Sequence, residues 1–224
     1  MVRWVQWLAA HLVGVGGPGS RRVQADRMRA ELERRGLGSV DGHATLAARL
    51  GELPEPAPAA FAAAVAERML RREETACDAE LVRRWRELLD AVWAALGGDE
   101  SGLQLVEREV DSLERWLDLD PMEPVEDFAG ADLDHVAATL FAAQALLRRS
   151  PEAAAWAGQR GTDAADEIAQ NELLAGRTSV ESTDEARLAS HPLVQAEIAR
   201  QRSDMALLTA HGVTAQVLAA LRAP

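Results

Sequence analysis

Five polar side chains, Glu67, Arg68, Asp134, Glu197 and Gln201, fall within or beside the apolar stripes of predicted helices. Facing a common cavity, these carboxylates, guanidinium and amide would hold a polar ligand or support acid–base chemistry. Asp90 and Glu114 lie on such stripes too. Burial sets a competing expectation: charges removed from water must be paired, so the same residues would form an internal arginine–carboxylate network. A catalytic set would normally add a convergent histidine or nucleophile. The histidines, His11, His43, His135, His191 and His211, are scattered, and no Gly-x-Ser-x-Gly stretch is present.

Asp132 and His135 sit three residues apart, the spacing at which helical bundles present metal ligands. A di-iron bundle needs Glu-x-x-His pairs, however, and the chain contains none. Asp132 and Asp134 are better read as acids stabilised by a helix start, and no metal or cofactor is expected. Cys77 lies among Glu73, Glu74, Asp78 and Glu80, which oppose thiolate formation, so an inert thiol is expected. No Lys-Ser/Thr follows the stretch from Gly14 to Gly19, which reads as a linker and not a phosphate loop.

Helical periodicity dominates the elements that would position these groups. A short amphipathic helix over 3–14 carries Trp4 and Trp7 and ends in the glycine-rich linker; a highly charged helix follows over about 21–35. A short helix is expected over about 44–50, then an extended, polyproline-like connector through Pro54, Pro56 and Pro58. Phe61, Val65, Arg68 and Met69 set the face of the next helix; Asp78 caps another, with Leu81, Trp85, Leu88, Leu89, Val92 and Leu96 on its core side. Leu103, Val106, Val110, Leu113 and Leu117 form an a/d stripe, and Leu133, Val136, Leu140, Phe141 and Leu147 mark the next helix.

Ser150-Pro151-Glu152 is a strong helix start, leading to a helix with Trp156, Ile168 and Leu173 on its face. Gly158 and Gly161 inside it mark a break or a close helix–helix contact. Ser190-His191-Pro192 repeats the cap-and-proline device before Val194, Ile198, Gln201, Met205 and Leu208, and a last short helix covers about 213–222. Trp85, Trp116 and Trp156 are expected in the core. The fold class is all-α: a compact antiparallel bundle of about six to eight main helices over 45–224, with residues 1–44 as a helical N-terminal extension.

Certain motifs carry a family resemblance. Phe61 to Met69 resembles the opening helix of the YjaG-like bacterial proteins, and Leu88 to Leu96 is similar to their LD-x-x-W-x-x-L helix. Leu113-Glu114 and Asp134 follow in order, and Pro192 to Gln201 resembles the family's P-x-V-x-x-E-W-x-x-Q signature, with Ile198 in place of the usual Trp. The resemblance spans roughly 45–210. It implies an all-helical fold and no established activity, the family being a domain of unknown function, number 416.

Composition narrows the function. The 224 residues carry 36 Asp plus Glu against 24 basic residues, a net charge of −12; every basic residue is Arg, and Tyr is absent. This balance argues against nucleic acid or an anionic membrane as partner. No window of about 18 uninterrupted apolar residues spans a membrane, and the N-terminal stretch lacks a signal-peptide pattern, so a cytoplasmic location is expected. Lysine-free, Ala- and Arg-rich usage suggests a GC-rich bacterial genome. The leading expectation is a non-catalytic helical protein that binds another protein, as an immunity- or antitoxin-like factor or as a homodimer. The alternatives are an enzyme or small-ligand binder with a pocket at Glu67, Arg68, Asp134, Glu197 and Gln201, and a metal-binding bundle at Asp132 and His135.

Overall fold

A computed structural model describes residues 42–73, 79–119, 134–173 and 187–223. The described residues form an all-α bundle without strands. Its helices are α1 (His43–Gly51), α2 (Ala57–Glu73), α3 (Ala79–Leu96), α4 (Glu100–Leu119), α5 (Asp134–Arg148), α6 (Pro151–Leu173), α7 (Pro192–His211) and α8 (Ala215–Arg222). The predicted extension with Trp4 and Trp7, the charged helix over 21–35, Cys77, Asp78 and Asp132 lie outside the described residues, as do the side chains of Leu113, Glu114, Trp116 and Leu117. None of the described helices is long and apolar enough to cross a membrane.

The centre of the bundle is built from alanine. From Ala57 to Glu67 every residue of α2 is buried, and α5 is buried from Asp134 to Ala143. A helix covered on all sides is a core element. Sequence periodicity predicts one apolar face around Phe61, Val65 and Met69; alanines on the remaining faces let α5 and α6 close over α2 as well. On α3, Trp85, Leu88, Leu89, Val92 and Leu96 are buried as expected.

Three stripes come out differently from their bulkiest residues. On α4, Val106 and Val110 are buried but Leu103 is 37% exposed. Gly102 takes the inner position, because a Cβ there would lie 2.8 Å from the Ala91 carbonyl oxygen and 2.9 Å from the Ala94 Cβ. On α6 the fully covered face is Ala153, Ala154, Ala157, Gly158, Gly161, Ala164 and Ala165, while Trp156, Ile168 and Leu173 are only partly covered. Trp156 stacks at the edge, its ring 4.0 Å from that of His43 and 6.2 Å from that of Phe141. On α7 the buried face is apolar at its ends and polar between them: Val194, then Glu197, Gln201 and Asp204, then Met205 and Leu208.

Short connections fix the order of the helices. Gly98, at φ 91°, turns the chain out of α3. Asp99 accepts the Ser101 N–H at 2.9 Å, and the Ser101 hydroxyl and this N–H together hold its exposed carboxyl below the usual range. Ser150 accepts the Ala153 N–H at 3.1 Å ahead of Pro151, as its sequence predicts. Before α7 the cap is His191 and not Ser190. The His191 Nδ1 accepts the Leu193 N–H at 3.4 Å, while the Ser190 hydroxyl donates to the Arg187 carbonyl. The proline-rich connector is a turn instead of an extended strap. Its Ala57 N–H donates to the Pro54 carbonyl at 2.8 Å, the Glu55–Pro56 peptide is cis, and Pro58 fits the first turn of α2, where no N–H is required.

Candidate functional site

The five candidate residues occupy three clusters. In the first, Arg68 of α2 reaches α7. Its Nη2 donates to Glu197 Oε1 at 3.0 Å, its Nε to Glu197 Oε2 at 3.4 Å, and its Nη1 to Asp204 Oδ2 at 2.7 Å. Gln201, one turn along α7, donates from Nε2 to Glu197 Oε1 at 3.1 Å and to the Gly158 carbonyl of α6 at 2.9 Å. Gly158 and Gly161 make this junction possible. A Cβ on Gly161 would lie 2.7 Å from Val65 Cγ1 and 3.0 Å from Glu197 Oε1; one on Gly158 would lie 2.9 Å from Leu46 Cδ2. Of the two sequence options, break or close contact, the structure has the close contact, and α6 runs through it unbroken.

Electrostatics inside this cluster are uneven. Burial pushes the Glu197 carboxyl up, but Arg68, Gln201 and Arg72 outweigh it and hold the group below its ordinary value. At Asp204 burial dominates the pull of Arg68, and the carboxyl stays raised. Burial also works against the Arg68 charge, and the two carboxylates more than restore it.

Glu67, the residue before Arg68, points elsewhere. It accepts Arg86 Nη1 at 2.8 Å on both oxygens, Arg71 Nε at 2.8 Å and the indole N–H of Trp93 at 3.0 Å. Arg222 of α8 approaches to 3.8 Å. Arg71 also donates to the Arg222 carbonyl at 2.6 Å, and Arg222 pairs with Asp90. This hub therefore joins α2, α3 and α8. Burial pushes the Glu67 carboxyl up, but the Arg86 charge and the donated hydrogen bonds bring it below the usual glutamate value.

Asp134 starts the third cluster, at the first turn of α5. Arg160 of α6 donates to it at 3.2 Å and also lies 3.7 Å from Asp163. Burial outweighs Arg160, and the carboxylates of Asp163 and Glu167 add to it, so the Asp134 carboxyl is pushed up to about 6. A carboxyl with a higher folded than unfolded value lowers stability as pH rises between the two, here from about 4 to about 6. Asp134→Asn is therefore expected to make the chain more stable at pH 7.5 and to flatten that dependence. Urea unfolding at pH 4.5 and 7.5 checks both effects, and equal destabilisation at the two pH values would refute them. His135 is buried beside it in α5. Among the described residues no three His, Cys, Asp or Glu side chains are placed to hold a metal ion.

The structure thus unites Arg68, Glu197 and Gln201, and separates Glu67 and Asp134 from them and from each other. Sequence reasoning missed Asp204, Arg71, Arg86, Trp93, Arg160 and Arg222 as members of these clusters. Asp204 had a signal, lying seven residues after Glu197 and three after Gln201 on one helical face. Arg71 had one too, standing four residues after Glu67 on the same helix; Arg86, Arg160 and Arg222 had none, lying 19, 26 and 132 residues from Glu67, Asp134 and Asp90.

On the outside, α3 and α4 leave a groove of about 320 Å³ lined by Arg83, Arg84, Glu87, Leu88, Leu105, Arg108 and Glu109. The profile of a family described as "Protein of unknown function (DUF416)" matches residues 45–224. No curated protein and no solved structure matches the chain.

Proposed function

The chain belongs to the DUF416 family, and for this member we propose a non-catalytic role, as a cytoplasmic protein that acts by binding another protein. The observation that carries the reading is where the charge stands. Residues 100–134 hold twelve Asp and Glu against Arg108 and Arg115, a net of −10 out of the chain's −12. The rest of the chain is close to neutral, and three of its buried acids, Glu67, Glu197 and Asp204, are matched by arginines, while Asp166 accepts from Gln170. All five candidate pocket residues are engaged in bonds between helices, which favours a structural role for them.

The described part of the acidic stretch is a strip on α4: Glu100, Leu103, Gln104 and Glu107 are exposed, with the leucine between the two acids. A carboxylate field around an apolar contact steers and orients a basic partner, while repelling nucleic acid and anionic lipid. Masking a basic toxin, as an immunity protein or antitoxin does, is one specific form of this role. Co-purification with the full-length chain at low and high salt, combined with light scattering, tests it. The expected result is a stoichiometric basic partner whose retention falls with salt and with Glu100→Gln/Glu107→Gln. A strictly monomeric chain that enriches no partner overturns it.

A further inference from the structure

We infer that the basic stretch from Arg21 to Arg35 docks on the acidic strip of α4 in the same chain, covering the surface that receives a basic partner. The inference rests on the protein-binding reading and supplies its regulation. Charge is segregated along the sequence. Residues 1–41 carry seven Arg against Asp26, Glu31, Glu33 and Asp41, a net of +3, which leaves −15 on residues 42–224. The strip is where that excess is open to a partner. Leu103 is 37% exposed, with Glu100 and Glu107 exposed about one turn away on either side. Among the described residues neither carboxylate has an arginine partner, whereas Glu109 on the same helix is approached by Arg84 and Arg108.

The basic stretch carries the counterpart pattern. On the helix its sequence predicts, Ala25, Met28 and Leu32 share one face, and Arg22 and Arg29 run along the edge of that face. Arg22 and Arg29 are seven residues apart, as are Glu100 and Glu107. Each pair therefore spans about 10.5 Å of helix. Side by side, the two helices set a guanidinium against a carboxylate twice, with Met28 against Leu103 between them. Guanidinium forks suit such carboxylates through bidentate bonds.

The route between them is short. His43, at the start of α1, stacks on Trp156, which lies against Phe141 of α5, and α5 packs on α4. Two steps between neighbouring helices, at about 8–10 Å each, make roughly 20 Å. The seven residues from Gly36 to Gly42, three of them glycine, reach about 23 Å when extended. A segment tethered by so short a linker stands at an effective concentration on the order of millimolar. A separate basic protein must displace it, so the strip opens only to a partner that outcompetes the chain's own arginines.

Electron paramagnetic resonance of the full-length chain tests this, with nitroxides attached at Ala30→Cys and Gln104→Cys in a Cys77→Ser background. Both labels stand off the contact, Ala30 on the far side of its predicted helix and Gln104 on the exposed surface beside the strip. The expected result in dilute protein is a narrow distance population below about 30 Å, three helix diameters. Arg22→Glu/Arg29→Glu and Glu100→Arg/Glu107→Arg should each reduce it at least tenfold, and the two pairs combined should restore it, with thermal melts verifying that each chain folds. Leu103→Asp, at an exposed position, should reduce it as well, and keeps the inference testable if a charge-reversed chain fails to fold. A broad distribution before any charge is reversed overturns the inference. So does a short distance indifferent to the reversals, or one seen only between chains that carry one label each. Partner capture reports separately: Arg22→Glu/Arg29→Glu should raise the retention of a basic partner, and failure to capture any partner leaves the distance result standing.

Discussion

Replacing Arg68 by Met is expected to destabilise the fold by about 3–5 kcal/mol at neutral pH, the usual cost of removing one partner from a buried ion pair. The substitution keeps most of the apolar stem and removes the guanidinium that donates to Glu197 and Asp204. Both carboxylates are buried, and without Arg68 their remaining cations are Arg72, 3.7 Å from Glu197, and Arg200, 3.8 Å from Asp204, so each stays charged with weaker compensation or takes up a proton. The loss should therefore be largest at pH 7 and shrink toward pH 5, as protonation neutralises the stranded acids. Urea unfolding followed by circular dichroism at both pH values measures it. Adding Glu197→Leu and Asp204→Leu removes the stranded charges as well, and should recover much of the stability. A deficit independent of pH and unrelieved by the triple change would show that Arg68 acts through packing alone.

Glu67→Gln is expected to cost about 2–4 kcal/mol, since the neutral amide keeps the shape and loses charge-assisted bonds to Arg71 and Arg86. The sign with pH follows from the lowered Glu67 carboxyl. Its contribution is fully present above the unfolded glutamate value, about 4.3, and disappears as pH falls through the lower folded value. Wild type and variant should differ at pH 7 and converge in acid. In a domain of this size the neutral-pH loss corresponds to a Tm lower by roughly 5–15 °C. Differential scanning calorimetry across pH reads both quantities, and a gap that persists unchanged into strong acid would refute the assignment.

Where the sequence reads well and where it does not has a local physical reason. The helix start at Pro151 and the stop at Gly98 depend on neighbours in the chain, so capping chemistry predicts them. The face of α3 follows from large apolar residues at spacings of three and four. Glu67 and Arg68 read as a single site because they are adjacent, yet adjacency on a helix separates side chains by about 100° and sends them to different neighbours. Their partners Arg222 and Asp204 lie far along the chain, and no local pattern encodes such pairs. On α4 and α6, bulk was a poor guide to the core. Gly102 is inside because the α3 backbone meets it, and Gly158 and Gly161 because side chains of α1, α2 and α7 fill the space a Cβ would need; that leaves Leu103 and Trp156 nearer the surface.

The junction at Gly158 and Gly161 also makes the identities of distant residues conditional on one another. Val65, Leu46, Gln201 and the two glycines share one fixed volume, so a methyl group gained on α6 must be surrendered on α2, α1 or α7. Gly161→Ala alone drives a carbon into Val65; Val65→Ala relieves that clash and leaves the Glu197 carboxylate, 3.0 Å from the new carbon, to give way. Sequence drift at this crossing is therefore restricted to matched exchanges. A substitution that is harmful in this chain becomes acceptable in one whose facing residue has already shrunk.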